Sequence, residues 1–123
     1  MTTTILVCDT CRFSAEEKLQ GEQTGGQILG AHIAARLPEG VRMRHHSCLM
    51  GCAHSCNAAL SESGKYTYVL GGFRPEPDAA EALLAYARLY AESPTGQVAF
   101  RLWPGGIRGR FIARIPPAPE PAD

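Results

Sequence analysis

Two groups of cysteines each follow a segment whose residue pattern predicts a β-strand. The groups are Cys8-x-x-Cys11 and Cys48-x-x-x-Cys52-x-x-x-Cys56. Residues 3–8 form a β-branched and aliphatic run, and residues 41–46 alternate with a period of two, as strands do. A helix predicted between these segments makes the two strands parallel neighbours in one sheet. Because both strands then end at the same edge, the fold should bring the two cysteine groups together.

Capping patterns predict where the helices begin. Thr24-x-x-Gln27 is a capping box that opens the first helix, and this helix should stop before Pro38. Asp78 and Glu81 form a second capping pattern, which is followed by apolar residues on one helical face. Two helices are therefore expected to pack on the sheet.

The remaining strands come from a hairpin. Residues 58–61 and 65–73 are short strand-forming runs around a tight turn that contains glycine, and residues 97–103 favour a further edge strand.

A strand–helix–strand unit followed by a hairpin and a helix is a thioredoxin-like layout: an α/β fold with a four-stranded mixed sheet and flanking helices. We expect this domain to span residues 1–115, with residues 116–123 as a disordered proline-rich tail.

Composition excludes several classes of protein. The 123 residues carry a formal net charge of zero, which argues against a nucleic-acid binder. No apolar stretch reaches the roughly 18 residues of a membrane span, and the first residues lack the basic region of a signal peptide. A cytoplasmic, reducing location is therefore expected, in which clustered cysteines indicate metal binding or catalysis rather than disulfides.

Three chemistries fit the five cysteines. A 2Fe–2S cluster needs four ligands, and Cys8 with Cys11 could hold one iron while Cys48 with Cys52 holds the other. In this interpretation Cys56, which comes where the hairpin begins, is a spare or alternate ligand. A zinc or iron carrier would use the same thiolates, although zinc ribbons more often present two C-x-x-C turns. A dithiol–disulfide oxidoreductase would use Cys8 and Cys11 but would leave three cysteines unexplained.

Several segments resemble known families. The stretch 47–52, followed by residues 57–60 and 64–69, is similar to the second cluster-binding loop and hairpin of thioredoxin-like 2Fe–2S ferredoxins. Together with the early Val-Cys-x-x-Cys, Cys56 and Ala-Arg-Ile-Pro-Pro at 113–117, it also resembles a bacterial family described only as predicted metal-binding proteins.

The resemblance implies a ligand set and a function. It places ligands at Cys8, Cys48 and Cys52, with Cys11 filling the fourth place; the ferredoxins space their first pair more widely and have no counterpart of Cys56. The implied function is an electron carrier with a 2Fe–2S cluster that serves a redox partner protein. The resemblance also points to tetrapyrrole or cobalamin metabolism, and a homodimer is compatible with it.

The other polar residues suggest no enzyme. No Ser/His/Asp set or carboxylate pair is assembled by the sequence, and of the histidines only His54 lies between two cysteines. Its ring could donate a hydrogen bond to a cluster sulfur, or it could be a loop residue in solvent. Arginines surround Trp103 near the C-terminus, which fits either a docking patch for an acidic redox partner or a solvated edge strand.

Overall fold

The computed structural model describes residues 2–14, 16–49 and 56–117, and in them the chain forms seven strands and two α-helices. The strands are β1 (Thr3–Cys8), β2 (Leu19–Gln20), β3 (Gln23–Thr24), β4 (Val41–His46), β5 (Ala58–Ser61), β6 (Thr67–Leu70) and β7 (Phe111–Ile115). The helices are α1 (Gly25–Ala34) and α2 (Pro77–Glu92), and two short 3₁₀ helices, Phe100–Leu102 and Gly105–Ile107, precede β7.

The predicted strand–helix–strand unit is present. Strands β1 and β4 run parallel, and their register places Cys8 beside His46 at the carboxyl end of both strands. Ile5 and Val7 of β1 are fully buried, because this strand lies between β4 and β5 in the sheet. The two cysteine groups are therefore attached to neighbouring strand ends, as the sequence predicts.

The sheet has one strand more than predicted. Its order is β4-β1-β5-β6-β7, so in the described part of the chain the mixed sheet has five strands rather than four. The predicted hairpin is confirmed as β5 and β6, which pair antiparallel to each other while β5 pairs antiparallel to β1. Strands β2 and β3 form a separate two-stranded ribbon between β1 and α1.

The prediction of an edge strand at residues 97–103 is wrong. Phe100–Leu102 is a 3₁₀ helix, and the fifth strand of the sheet is Phe111–Ile115, which pairs antiparallel to β6. The ring of Trp103 packs on Phe111 with centroids 4.6 Å apart, and its indole N–H donates to the carbonyl of Val98 at 2.9 Å. The segment is thus a turn from which Trp103 supports strand β7 on one side.

One of the two predicted helix starts is confirmed. Thr24 caps α1 through a reciprocal capping box, in which its hydroxyl accepts from the Gln27 N–H at 3.1 Å and the Gln27 side chain accepts from the Thr24 N–H at 2.9 Å. The prediction that Asp78 caps α2 is wrong. The N-cap is Glu76, which is extended as a residue before proline should be, and Pro77 opens the helix.

A buried lysine fixes the C-terminal end of α2. The Lys65 ammonium donates to the carbonyls of Tyr90 at 3.2 Å and Ala91 at 2.9 Å, and it forms an ion pair with Glu62 at 3.0 Å. Both charged side chains are only 7% exposed. Burial by itself raises the pKa of Glu62, but hydrogen bonds from Thr3 and Lys65 outweigh it and lower that pKa. The carboxylate thus stays charged beside the lysine, and the hairpin turn is tied to the helix end.

We expect Lys65→Met to lower the free energy of unfolding by about 3 kcal/mol, because the substitution strands the Glu62 carboxylate and leaves two helix-end carbonyls without their donor. The matched control is Arg36→Met, since Arg36 pairs with Glu81 at 3.8 Å on the surface. That change should cost less than about 0.5 kcal/mol. Urea unfolding followed by circular dichroism measures both, and equal losses in the two variants would contradict the role given to Lys65.

The described residues contain no helix that is both long enough and apolar enough to cross a membrane. The last strand, β7, ends at Ile115, and the domain boundaries at residues 1–115 stay a prediction. Most of the predicted tail, residues 118–123, lies outside the described residues, so its disorder stays a prediction.

Candidate metal centre

Three cysteines meet where β1 ends and β5 begins. Cys8, Cys11 and Cys56 are free thiols that are 1%, 3% and 1% exposed. The thiol of Cys11 shares hydrogen bonds with both Cys56 and Cys8. The fold therefore joins members of the two sequence-distant cysteine groups in one buried cluster, which we call the thiol cluster.

Backbone hydrogen bonds hold the thiol cluster from the hairpin side. Cys56 pairs with Phe73 through two backbone hydrogen bonds of 2.9 and 3.2 Å, and the N–H of Cys8 donates to the carbonyl of Asn57 at 3.2 Å. The N–H of Asn57 donates to the sulfur of Cys11 at 3.4 Å. An N–H group aimed at a sulfur stabilises negative charge on it, whether the sulfur is a thiolate or a metal ligand.

The hydrogen bond between Cys11 and Cys56 shifts the pKa values of the two thiols in opposite directions. The hydrogen bond to Cys56, assisted by burial, raises the pKa of Cys11 far above that of an ordinary thiol. The same hydrogen bond lowers the pKa of Cys56, although burial opposes the change. Cys56 therefore loses its proton more readily than Cys11, and as a neutral thiol it donates to the carbonyl of Arg12 at 3.7 Å.

The first turn of α1 lies directly against the cysteine loop. The N–H of Gly26 donates to the carbonyl of Cys11 at 3.2 Å, and the Thr24 hydroxyl donates to the carbonyl of Asp9. A Cβ added to Gly26 would overlap the Cys8 carbonyl oxygen and would lie 2.8 Å from the carbonyl carbon. Only glycine permits this approach, which places the N-terminal end of the helix, with its partial positive charge, against the backbone of the cysteine loop.

The second cysteine loop begins at the neighbouring strand end. Cys48 is half-buried and comes two residues after the end of β4. The hydroxyl of Thr10 donates to the carbonyl of Ser47, so the loops that follow β1 and β4 are tied together. Cys52, the predicted partner of Cys48, lies outside the described residues.

One of the two strand histidines faces the second cysteine loop. The ring nitrogen Nδ1 of His46 accepts from the N–H of Cys48 at 3.4 Å, whereas the ring of His45 lies over Gly30 of α1. Successive side chains of a strand point to opposite faces of the sheet, so only one of these two histidines can face the loop. His54, the histidine singled out in the sequence, lies outside the described residues.

The predicted ligand set is brought together only in part. Within residues 2–14, 16–49 and 56–117, no group of three or more His, Cys, Asp or Glu side chains is arranged to hold a metal ion. The thiols of the cluster hydrogen bond with one another, and metal binding would require them to lose protons and turn toward a common point. The donor atoms fit a thiophilic metal in kind, and the ligand set stays a prediction.

Sequence reasoning missed two features of the centre. It gave Cys56 as a spare or alternate ligand and did not anticipate that the side chain of Cys56 contacts Cys11. It also left Gly25 and Gly26 unexplained, although both press on the backbone of the cysteine loop. A pair of glycines directly after a capping threonine is unfavourable in a helix and was the one available signal of close packing.

Fold and centre together define a mixed α/β protein with buried thiols at one edge of its sheet. The chain belongs to the family described as "Protein of unknown function (DUF1636)", whose model matches residues 5–117. No match was found among curated proteins or among solved structures. The family description mentions neither metal binding nor ferredoxins, so those parts of the resemblance noted in the sequence remain predictions.

Proposed function

We propose that this protein is an electron carrier that holds a 2Fe–2S cluster on cysteine thiolates at the edge of its sheet. The observation that supports this most directly is the contact of Cys11 with Cys8 and Cys56 in a buried site. A single buried cysteine is an ordinary apolar residue. Here three cysteines from two distant segments pack together, and two more cysteines precede Cys56 in the second group. Cysteines that meet in this way can supply the four thiolates that a 2Fe–2S cluster needs.

The ligands we propose are Cys8 and Cys11 from the first group and two cysteines from the second. The contact with Cys11 makes Cys56 the first of these two, and the other is either Cys48 or Cys52. Cys48 follows β4, the strand next to β1, so it is near enough for a loop movement to complete the set. This choice revises the expectation that Cys56 is spare.

The fold we propose is thioredoxin-like, with β7 as an addition. The order β4-β1-β5-β6, with β1 and β4 parallel and the hairpin antiparallel, supports this assignment. Such a layout carries its first cysteine at the end of β1, where Cys8 stands.

The chain's own residues would set the properties of the centre. A 2Fe–2S cluster bound by four cysteines accepts and releases one electron, at a potential of roughly −400 mV in plant-type ferredoxins. The N–H of Asn57 at the Cys11 sulfur and the N-terminal end of α1 would both stabilise added negative charge and raise this potential. Burial of the thiols would oppose them by disfavouring the more negative reduced state.

The oxidoreductase alternative finds less support. A reactive dithiol needs an accessible thiolate, commonly at a helix N-terminus. Cys8 and Cys11 are almost fully buried, so neither offers an accessible thiolate. The resemblance adds that this carrier serves a redox partner protein in tetrapyrrole or cobalamin metabolism, and we include this pathway in the proposal.

The experiment is an anaerobic purification with metal and sulfide analysis. We expect red-brown protein with about two irons and two labile sulfides per chain, and an electron paramagnetic resonance signal that dithionite produces. Colourless protein with one zinc per chain would favour the zinc carrier. Metal-free protein that reduces disulfides would favour the oxidoreductase; either outcome would overturn the proposal.

A further inference from the structure

The charge of the chain is unevenly distributed. Residues 93–117 contain Arg101, Arg108, Arg110 and Arg114 and no Asp or Glu. The whole chain has 12 basic and 12 acidic residues, so the remainder holds eight basic against twelve acidic ones. A neutral protein thus consists of a segment of charge +4 and a remainder of charge −4. This polarity is hidden in the net charge, and it orients a molecule that approaches the surface.

The basic segment is also where apolar side chains are exposed. Phe100, Leu102, Ile112 and Ile115 are 60%, 50%, 42% and 52% exposed, and they are four of the six large apolar residues exposed in the described part of the chain. A groove of about 380 Å³ runs between Trp103 and β7. Apolar patches rimmed by polar groups are typical of protein-binding sites. We call residues 97–117 the arginine face.

Two exposed arginines of this face lie over aromatic rings. The guanidinium of Arg108 lies 4.8 Å from the ring centre of Phe100, and that of Arg114 lies 5.0 Å from the ring of Tyr66. Neither arginine has an acidic partner among the ion pairs of the described residues. Their N–H groups therefore stay available for carboxylates, while stacking reduces the entropy lost on binding.

Strand β7 offers an open edge beside these arginines. Within the described residues it pairs with β6 alone, on one side. A strand edge of this kind can pair with another extended segment through backbone hydrogen bonds. Residues 112–115 are all exposed, so a segment that pairs there would contact Ile112, Arg114 and Ile115.

The arginine face reaches the thiol cluster at one end. Arg110, which precedes β7, donates to the carbonyl of Gly72 at 2.7 Å and lies 5.9 Å from the ring of Phe73. Phe73 is the residue whose backbone pairs with Cys56. A partner bound along β7 would therefore lie close to the candidate centre.

We propose that the arginine face is the docking surface for an acidic protein partner, which adds an extended segment with alternating carboxylate and apolar side chains to the edge of β7. An acidic partner is favoured over a second copy of the chain because its carboxylates would complement the arginines of this face. A second copy paired in the same way would place two arginine faces against each other, which repulsion disfavours. Electron exchange with this partner rests on the proposed function, whereas the docking surface itself is argued independently of it.

The probe is a short synthetic peptide of alternating Glu and Val with blocked ends, added to the full chain purified anaerobically. Trp103 is the only tryptophan and borders the groove, so its fluorescence reports binding. We expect a saturable change that weakens as salt is added. The same peptide with N-methylated amides, which cannot pair with a strand edge, should not bind.

The discriminating variant is Arg101→Gln/Arg108→Gln/Arg114→Gln, which should weaken peptide binding about tenfold or more. Its control is Lys18→Gln/Arg36→Gln/Arg88→Gln, an equal change of charge at exposed residues outside both edge strands of the sheet, which should leave binding within about twofold. Equal weakening by both variants would overturn the proposal, as would equally tight binding of a peptide with Lys in place of Glu.

Two other occupants have their own signatures. A Trp103 signal that depends on protein concentration without peptide would identify a second copy. Tighter peptide binding by Glu120→Gln/Asp123→Gln would identify the chain's own acidic end. Either result overturns the proposal.

Iron and sulfide are measured on the same samples. Iron without peptide binding would contradict only the docking surface, and peptide binding without iron would contradict only the proposed function.

Discussion

Replacing Cys8 or Cys11 by serine is expected to abolish the bound iron, because each would remove one of four thiolates from a buried centre and leave a weaker hydroxyl ligand. We expect Cys56→Ser to be as damaging, since Cys56 is in direct contact with Cys11. Iron and sulfide analysis with visible absorbance measures the loss. Of Cys48→Ser and Cys52→Ser, one should lose the iron and the other should keep most of it.

Folding has to be separated from ligation in this series. Serine at a fully buried position costs about 1–3 kcal/mol on its own when its hydroxyl lacks a partner. Far-ultraviolet circular dichroism should therefore show folded protein in every variant that lacks iron, and cysteine-to-alanine variants serve as a second set. If Cys56→Ser kept its full colour while both Cys48→Ser and Cys52→Ser bleached, the ligand set inferred from the sequence would be right and our revision wrong.

Local chemistry made the first half of the fold predictable. The capping box at Thr24 and Gln27 involves residues three positions apart, and both of its hydrogen bonds are present. The alternation in residues 41–46 and the aliphatic run in residues 3–8 identified two strands, and the helix predicted between them made them parallel neighbours. That the two cysteine groups meet followed from this topology.

The features that were missed depend on contacts between distant segments. The fifth strand, Phe111–Ile115, has four exposed residues and gains its identity from pairing with β6, which no local pattern encodes. Residues 97–103 have a strand-like composition, but the packing of Trp103 on Phe111 makes them a support for that strand. The position of Cys56 depends on its backbone pairing with Phe73, which lies beyond the hairpin.

Gly26→Ala is expected to destabilise the protein by about 3 kcal/mol or more and to reduce iron binding with it. In an ordinary helix this change is favourable by up to about 1 kcal/mol, because alanine is the better helix former. Here the new methyl group would overlap the Cys8 carbonyl oxygen and lie 3.0 Å from the Cα of Asp9. These are backbone atoms in a loop fixed by hydrogen bonds, so either the helix or the cysteine loop must shift, and overpacking outweighs the gain in propensity.

The control is Gly105→Ala, where an added Cβ meets no heavy atom within 4 Å and the backbone is not left-handed. Its free energy of unfolding should change by less than about 0.5 kcal/mol, with normal iron content. Urea unfolding and iron analysis on both variants test the comparison. A Gly26→Ala protein as stable as the parent, with its full complement of iron, would mean that α1 does not position the cysteine loop. Loss of iron with stability unchanged would confine the role of Gly26 to the shape of that loop.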